Sequence, residues 1–378
     1  MKHLLFLFLF VCSVSIVHTT NGQSAFRKYL YNLVNDTTEA SKPRFLAYPT
    51  LAYSPETNLE IGISSLYIYY AKRDTTNRLS ELSAFTFFTL ENQYGIWLEN
   101  AIYSNDDKIF ILGRTRIQSF PLLYYGIGSN TPEEYQARVD ANQIWVRQRI
   151  LHKIKKDFFI GSQFDFTRLS GVDFVKNEEF ESSIELPMGY EGSTNFGIGA
   201  GIVYDNRHNV LNVRKGFFSE LGFLHYNDAV SDFQFNSFLS DTRIYRPIGK
   251  RNVFAAQLLG QFNTGNVPFN QLALLGGETI MRGYYTGRFR DRNQIAAQTE
   301  FRFLPLPLGF SKRIGATVFG SVATVFPNTR EIAMDKITFS GGAGLRFLLF
   351  PKKDIYTRID YALTREGGGL YILIGEAF

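Results

Sequence analysis

Residues 276–293, GGETIMRGYYTGRFRDRN, carry the side chains of this sequence that are best suited to a specific chemical role. Arg282 is followed by Gly283 and Tyr284, and Glu300 lies a short segment further along the chain. A guanidinium and a carboxylate can form two parallel charge-assisted hydrogen bonds, which favours arginine for partly buried pairs. We therefore expect Arg282 to pair with Glu300 inside the fold; an exposed loop arginine is the alternative.

The sequence lacks the groups that would support covalent catalysis. It contains no GxSxG, HExxH or P-loop motif and no cysteine pair, and its later histidines, His152, His208 and His225, stand singly. An activated nucleophile needs a neighbouring base. We therefore predict that the protein is not an enzyme and that it uses neither a cofactor nor a metal.

The amino-terminal segment has the pattern of a secretory signal peptide, which we place at residues 1–22. Lys2 precedes the apolar run Leu4–Val17, and this run is too short to span a membrane as a helix. The only cysteine, Cys12, lies within it, so the mature chain would form no disulfide. Residues 23–43 would then be a short amphipathic helix or a disordered tether.

The rest of the chain alternates apolar and polar residues with a period of two. In FFIGSQFDFTR one face carries Phe158, Ile160, Phe164 and Phe166, and the other carries Gly161, Gln163, Asp165 and Thr167. The chain also contains 36 Phe and 21 Tyr. Despite this aromatic content, no segment after the amino-terminal one has an apolar run long enough for a transmembrane helix. Strands of about ten residues with one apolar and one polar face are typical of transmembrane β-barrels.

Sixteen such segments fit between residues 44 and 378, which predicts an all-β fold, a sixteen-stranded antiparallel transmembrane β-barrel. The segments start near residues 45, 59, 79, 94, 108, 135, 157, 194, 216, 233, 252, 293, 313, 337, 354 and 369. Short turns alternate with long connections at 120–134, 170–193, 264–292 and 324–336, as inner turns and outer loops do in outer-membrane barrels. A soluble propeller would show internal repeats, and none is visible.

Residues 276–303 resemble the BamA/TamA family, the bacterial surface antigen superfamily of sixteen-stranded outer-membrane barrels. The match consists of paired glycines, Arg282-Gly283-Tyr284, an arginine-rich run and then Glu300. The stretch YPTLAYSPETNLEIGIS is similar to the family's opening hairpin. The resemblance implies that the sixth outer loop folds inward and carries Arg282, Gly283 and Tyr284 at its tip.

The stretch YDNRHNVLNVRKGFF, Tyr204–Phe218, is similar to the family's inner turn between the eighth and ninth strands. Asp205, Arg207 and Gly216 stand at matching positions, and Val213 stands where the family has a proline. Two interpretations remain open. Asp205 and Arg207 fasten the turn, or they follow ordinary turn chemistry in which Asp bonds its own backbone and Gly216 permits a positive φ.

The chain departs from the family in its thirteenth strand. The family has an aspartate there that meets the loop arginine, and this chain has Ser321. Ser321 could donate a hydrogen bond to Glu300 but cannot neutralise Arg282. Asp360, in the fifteenth strand, is either a substitute acid or an ordinary lumenal charge. The family's assembly factors also carry periplasmic POTRA domains, for which residues 23–43 leave no room, so we expect a member that lacks them.

Pairing of the first and last strands would close the barrel at a seam. Proline offers no backbone N–H to a strand ladder, so Pro49 either weakens the seam to Leu370–Phe378 or marks the point where the first strand begins. Phe378 is the aromatic residue that ends the last predicted strand. In this family such a seam is thought to open laterally.

These observations predict a protein of the bacterial outer membrane with one of two functions. It acts in the assembly or translocation of outer-membrane protein or lipid, or it is a pore-forming or structural subunit of an outer-membrane complex without insertase activity. Expected partners are outer-membrane lipid, lipopolysaccharide and other outer-membrane or periplasmic proteins, with no nucleic acid; we predict no oligomeric state. Arg288, Arg290 and Arg292 would bind lipopolysaccharide phosphate or solvate their loop.

Overall fold

The computed structural model describes residues 41–90, 92–119, 121–177, 185–207, 212–332, 336–351 and 354–378. The predicted segments at 1–22 and 23–43 therefore lie outside the described residues, apart from residues 41–43. Sixteen long strands form the barrel: β1 Arg44–Ser54, β2 Asn58–Tyr70, β3 Leu79–Thr89, β4 Tyr94–Tyr103, β5 Ile109–Ser119, β7 Ala137–Lys155, β8 Phe158–Lys176, β9 Ser193–Asp205, β10 Gly216–Tyr226, β11 Phe235–Ile248, β12 Asn252–Gly265, β15 Asn293–Phe303, β16 Ile314–Phe326, β17 Thr338–Phe350, β18 Ile355–Thr364 and β19 Gly367–Ile374.

Three short strands accompany the barrel. β6, Leu122–Tyr124, pairs with β7, and β13, Ala273–Leu275, pairs with β14, Phe289–Asp291, as a separate hairpin. Among the described residues, 3₁₀ turns lie at Ala71–Arg73, Asn105–Asp107 and Thr329–Glu331. Within the described ranges, no helix is long and apolar enough to span a membrane.

Each long strand pairs antiparallel with the next long strand along the chain, and β1 and β19 meet to close the sheet. The predicted count of sixteen is confirmed, and each of the sixteen long strands begins within two residues of its predicted start. β7 and β8 are longer than the expected ten residues, so residues 170–176 belong to a strand and not to a loop. We call the rim with the long connections the outer rim and number its loops L1 to L8.

The two faces of the sheet differ as the sequence period requires. On β17, Phe339, Leu345 and Phe347 are exposed on the outer surface, whereas Thr338, Ser340 and Arg346 are buried on the inner side. The outer band is therefore apolar and the lumen holds the charges, which is the reverse of a soluble barrel and is typical of a barrel in lipid.

The seam between β1 and β19 is the weakest junction of the sheet. β1 pairs with β2 along its whole length, yet its only described partner in β19 is Ile372, opposite Tyr53. Pro49 lies well inside β1 and pairs with Ile63 of β2, so the hypothesis that the strand begins at Pro49 is wrong.

The prediction that Phe378 ends a seam strand is also wrong. β19 ends at Ile374, and Gly375, with φ of 90°, redirects the chain into the lumen. There the Phe378 ring lies 6.3 Å from the Tyr245 ring, in a buried cluster with Val213 and Ala255. The burial of this ring against inward-facing side chains accounts for the departure from the sheet.

Candidate functional site: the sixth outer loop and its lumenal anchors

The sixth outer loop, L6, comprises residues 266–292, and its tip carries Arg282. The guanidinium of Arg282 is fully buried, with Nη2 2.5 Å from Glu300 Oε1 and Nη1 2.7 Å from Asp360 Oδ2. Glu300 on β15 and Asp360 on β18 both alternate with outward-facing residues, so both carboxylates lie on the inner face. We infer from these contacts that the tip of L6 points into the barrel.

The contacts of Arg282 extend into a network of buried charges. Arg302 Nε lies 2.7 Å from Glu300 Oε2, and Arg346 Nη1 lies 2.5 Å from Asp360 Oδ1. Glu376, from the segment after β19, lies 2.9 Å from Arg346 Nε. Removal of one partner from a buried ion pair strands the other charge, at a cost of about 3–5 kcal/mol. The network therefore ties L6 to β15, β17 and β18 through mutually dependent charges.

Two further contacts fix the orientation of the tip. The guanidinium of Arg282 lies 3.5 Å from the centre of the Phe319 ring on β16, a cation–π distance. The backbone N–H of Gly283 donates to the Tyr371 hydroxyl of β19 over 2.9 Å. Gly283 has φ of 104°, and a Cβ there would lie 2.6 Å from Thr364 Cγ2, so this position requires glycine. Tyr284 is buried beside Phe289 of β14.

Ser321 does not form the hydrogen bond to Glu300 that the sequence suggested. It faces inward on β16, but its hydroxyl has no hydrogen-bond partner within the described part of the chain, so the expected bond to Glu300 is absent. The acid that the family places at this position is supplied instead by Asp360 from β18. Of the two readings of Asp360, direct contact with Arg282 therefore favours the substitute acid.

The outer part of L6 is fastened to neighbouring loops. The backbone N–H and hydroxyl of Thr286 both donate to Glu56 Oε1 in L1, over 2.9 and 3.1 Å. Burial raises the pKa of the Glu56 carboxyl above its usual value, against the opposing effect of these hydrogen bonds. Arg288 binds Glu366 of L8 in bidentate fashion and also donates to the Thr131 hydroxyl of L3 over 2.7 Å.

The sequence predicts that Arg288, Arg290 and Arg292 either bind lipopolysaccharide phosphate or solvate their loop, and both interpretations are wrong for the first two. Arg288 and Arg290 are each only 2% exposed, so they neither solvate the loop nor face external phosphate. Arg290 donates to the Leu123 carbonyl over 3.1 Å and stacks on Tyr124, 5.0 Å from the ring centre. Their partners come from other loops, which a local pattern cannot reveal. Arg292 is exposed.

The inner turn combines the two interpretations of Asp205 and Arg207. Asp205 accepts the backbone N–H of Arg207, an ordinary Asx contact, and also binds the guanidinium through both carboxylate oxygens at 2.9 and 2.8 Å. The guanidinium lies 4.4 Å from the centre of the Phe218 ring. Gly216 has φ of 131°, and a Cβ there would lie 2.7 Å from Arg207 Cα. The pair is local to the turn and lies apart from the L6 network.

Sequence reasoning found the centre of the site and missed its periphery. Arg302 and Arg346 alternate onto the inner face, and that alternation was the available signal for their place in the network. Glu56, Glu366 and Glu376 lie in turns or after a strand, where no period indicates a direction. Among the described residues, no group of three or more His, Cys, Asp or Glu side chains is arranged to hold a metal ion.

The closed sixteen-stranded sheet, apolar outside and charged within, defines a transmembrane barrel of the outer-membrane class. A comparison with protein-family profiles matches residues 134–363 to the Omp85 superfamily domain. The chain belongs to the Omp85 superfamily, and this membership and its fold indicate an outer-membrane protein. No curated protein sequence matches the chain.

Several solved structures share the fold at low sequence identity. The chain superposes on BamA from Haemophilus ducreyi lacking POTRA domains 1–3 with a TM-score of 0.59 and 13% identity, covering 89% of this chain and 71% of that one. CdiB from Acinetobacter baumannii gives 0.56 and 9%, covering 88% and 59%, and CdiB from Escherichia coli gives 0.55 and 8%, covering 92% and 69%. The chain thus resembles BamA and CdiB in fold.

Proposed function

We propose that the protein acts in the assembly or translocation of outer-membrane protein or lipid through the seam between β1 and β19. The observation that carries the proposal is the seam itself, where Tyr53 opposite Ile372 is the only described pair. The neighbouring junctions, β1 with β2 and β18 with β19, are long ladders. Unpaired N–H and C=O groups on an edge strand are a template for another strand. A client strand could therefore add to β19, or to β1 near Tyr53, with few described β1–β19 pairs to displace.

The L6 network fits this function because it stabilises a barrel that is weak at one junction. The tip of L6 is bonded to β15, β18 and β19, so these strands remain bonded to the loop when β1 and β19 separate at the seam. Family membership and the likeness to BamA and CdiB support the proposal at the level of the fold. The bacterial outer membrane is the location that this function requires.

A second candidate is a pore-forming or structural subunit without insertase activity. One observation favours it: L6 is bonded both to L1, next to β1, through Glu56 and to β19 through Tyr371, so the loop opposes separation of the seam. A barrel held in this way would be a static scaffold.

A disulfide across the seam distinguishes the two candidates. Tyr53→Cys with Ile372→Cys would lock the facing pair, and Ser219→Cys with Thr242→Cys, on the continuous β10–β11 ladder, is the matched control. Proteoliposomes that contain each form are mixed with an unfolded barrel substrate, and its folding is followed by heat-modifiable gel mobility. We expect the oxidised seam variant to lose the acceleration, its reduced form to keep it, and the control to keep it in both states.

Equal acceleration by the oxidised and reduced seam variants would exclude the seam as the route. If the wild-type protein does not accelerate folding at all, and the bilayers conduct ions, the second candidate is correct.

A further inference from the structure

The outer half of the lumen contains a cavity of about 570 Å³ between L6 and the inner faces of the strands around it. Small-molecule sites in proteins have volumes of about 300–1,000 Å³, so this space is large enough for a solute. The L6 contacts described above lie at its margin. The wall formed by β4, β5 and β7 takes no part in them and has a polar organisation of its own.

Arg116 of β5 is the central cation of this wall. Its guanidinium carbon lies 4.3 Å from the centre of the Trp97 ring on β4 and 5.5 Å from that of Trp145 on β7. Within the described part of the chain, no carboxylate lies within 4.0 Å of this guanidinium and it makes no hydrogen bond. Because Arg116 lines the cavity, its N–H groups are available to a solute that enters it.

Hydrogen bonds hold both tryptophans and leave a second donor beside Arg116. Trp97 Nε1 donates to Gln118 Oε1 over 2.6 Å, and Gln118 Nε2 donates to Gln143 Oε1 over 2.9 Å. The amide nitrogen of Gln143 has no acceptor among the described residues, and Gln143 also lines the cavity. Trp145 Nε1 donates to Asp165 over 2.8 Å. The wall is thus organised before any ligand binds, which lowers the entropic cost of binding.

The cavity is acidic on another side. Glu60 of β2 and Glu278 of L6 line it, and neither carboxylate lies within 4.0 Å of a cationic group in the described residues. Glu60 is 7% exposed. A ligand that carried negative charge at both ends would meet repulsion here, whereas a neutral or cationic end would be accepted.

We propose that this cavity is a binding site for a small solute with one carboxylate group, which Arg116 and Gln143 bind while the neutral or cationic remainder lies toward Glu60 and Glu278. The carboxylate would accept N–H groups from a guanidinium, the pairing for which arginine is best suited. The cavity borders the seam at Tyr53 and Leu373, but Arg116 and Gln143 lie on other strands, and the proposal does not depend on the proposed function.

The protein contains only two tryptophans, Trp97 and Trp145, and both lie beside Arg116, so tryptophan fluorescence reports on this site. The full chain in detergent micelles is titrated with iodide, an anionic quencher, and with acrylamide, a neutral one. We expect Arg116→Gln to lower the iodide quenching constant of Trp97 about fivefold, the factor for opposite unit charges about 4 Å apart in water. Trp145 should change less, because Arg114 and Arg147 also lie beside its ring. The acrylamide constant should not change, and acetate should protect the wild-type protein from iodide more than chloride does at equal ionic strength.

Three variants complete the test. Glu60→Gln should raise the iodide constant, Arg116→Lys should retain most of it, and Arg138→Gln, which removes an exposed arginine outside the cavity, should change neither constant. Heat-modifiable mobility checks that each variant is folded. Equal iodide quenching in the wild-type protein and Arg116→Gln would overturn the proposal. So would a lack of quenching by both agents, because the cavity would then be closed to solutes, or equal protection by acetate and chloride.

Discussion

Arg282 is bonded to two carboxylates on different strands, Glu300 and Asp360, and this arrangement explains how the chain tolerates Ser321. A guanidinium in a lumen needs a nearby negative charge, but the strand that supplies it is not fixed by that need. β16 contributes the Phe319 ring instead, 3.5 Å from the guanidinium carbon. Asp360 on β18 supplies the negative charge in place of an acid on β16, so Arg282 keeps a second carboxylate partner.

Asp360→Asn tests this interpretation at the level of one residue. The change removes the negative charge shared by Arg282, Arg346 and Arg358, so we expect the free energy of unfolding to fall by about 3–5 kcal/mol. Urea unfolding in detergent, followed by heat-modifiable mobility, measures it. Asp140→Asn, which breaks an exposed ion pair with Arg138, is the control and should cost about 1 kcal/mol or less.

A second substitution asks whether the position of the acid matters. Ser321 lies two residues from Phe319 on the inner face of β16, so an aspartate there could approach Arg282. We expect Ser321→Asp to recover part of the stability lost in Asp360→Asn. Wild-type stability of Asp360→Asn alone would contradict the role assigned to Asp360, and a failure of the double variant to recover would show that the acid must lie on β18.

At the scale of elements, the strands were predictable and the loops were not. Each of the sixteen barrel strands begins within two residues of its predicted start, because the alternation of apolar and polar residues is imposed by lipid on one side and the lumen on the other. No comparable constraint acts on L6. Arg288 and Arg290 look like solvated residues in the sequence, and their burial depends on Glu366, Thr131 and Leu123, which are distant in the chain.

Arg288→Lys tests whether L6 is fastened to L3 and L8. Lysine keeps the charge and the trypsin site but cannot form the bidentate contact with Glu366, and a hydrogen bond to a charged group is worth about 1.5–3 kcal/mol. We expect tryptic cleavage within residues 266–292 to become about tenfold faster, the factor for about 1.4 kcal/mol. Arg292→Lys, an exposed position in the same loop, should leave the rate unchanged. Equal rates for the two variants would show that the Arg288 contact does not hold the loop.

At the scale of the whole molecule, backbone ladders join the neighbouring long strands except at the seam between β1 and β19, and L6 bridges this seam. The loop is bonded to Glu56, in the turn after β1, and to Tyr371 on β19. These two bonds lie on opposite sides of the junction where Tyr53 opposite Ile372 is the only described pair. L6 therefore links the two seam strands through side-chain bonds, in addition to their direct pairing.

Tyr371→Phe removes the hydroxyl that accepts the Gly283 N–H and leaves the ring in its buried place. Because the tip of L6 then loses its bond to β19, we expect the seam strands to separate more often. Spin labels attached at Tyr53→Cys and Ile372→Cys report this through dipolar broadening of continuous-wave electron resonance spectra, which suits short separations, as a broader distribution shifted to longer distances. Tyr361→Phe, on the exposed face of β18, is the matched control and should leave the distribution unchanged. An unchanged distribution in Tyr371→Phe would mean that the seam is held by backbone pairing alone, and that L6 stabilises the lumen without restraining the junction.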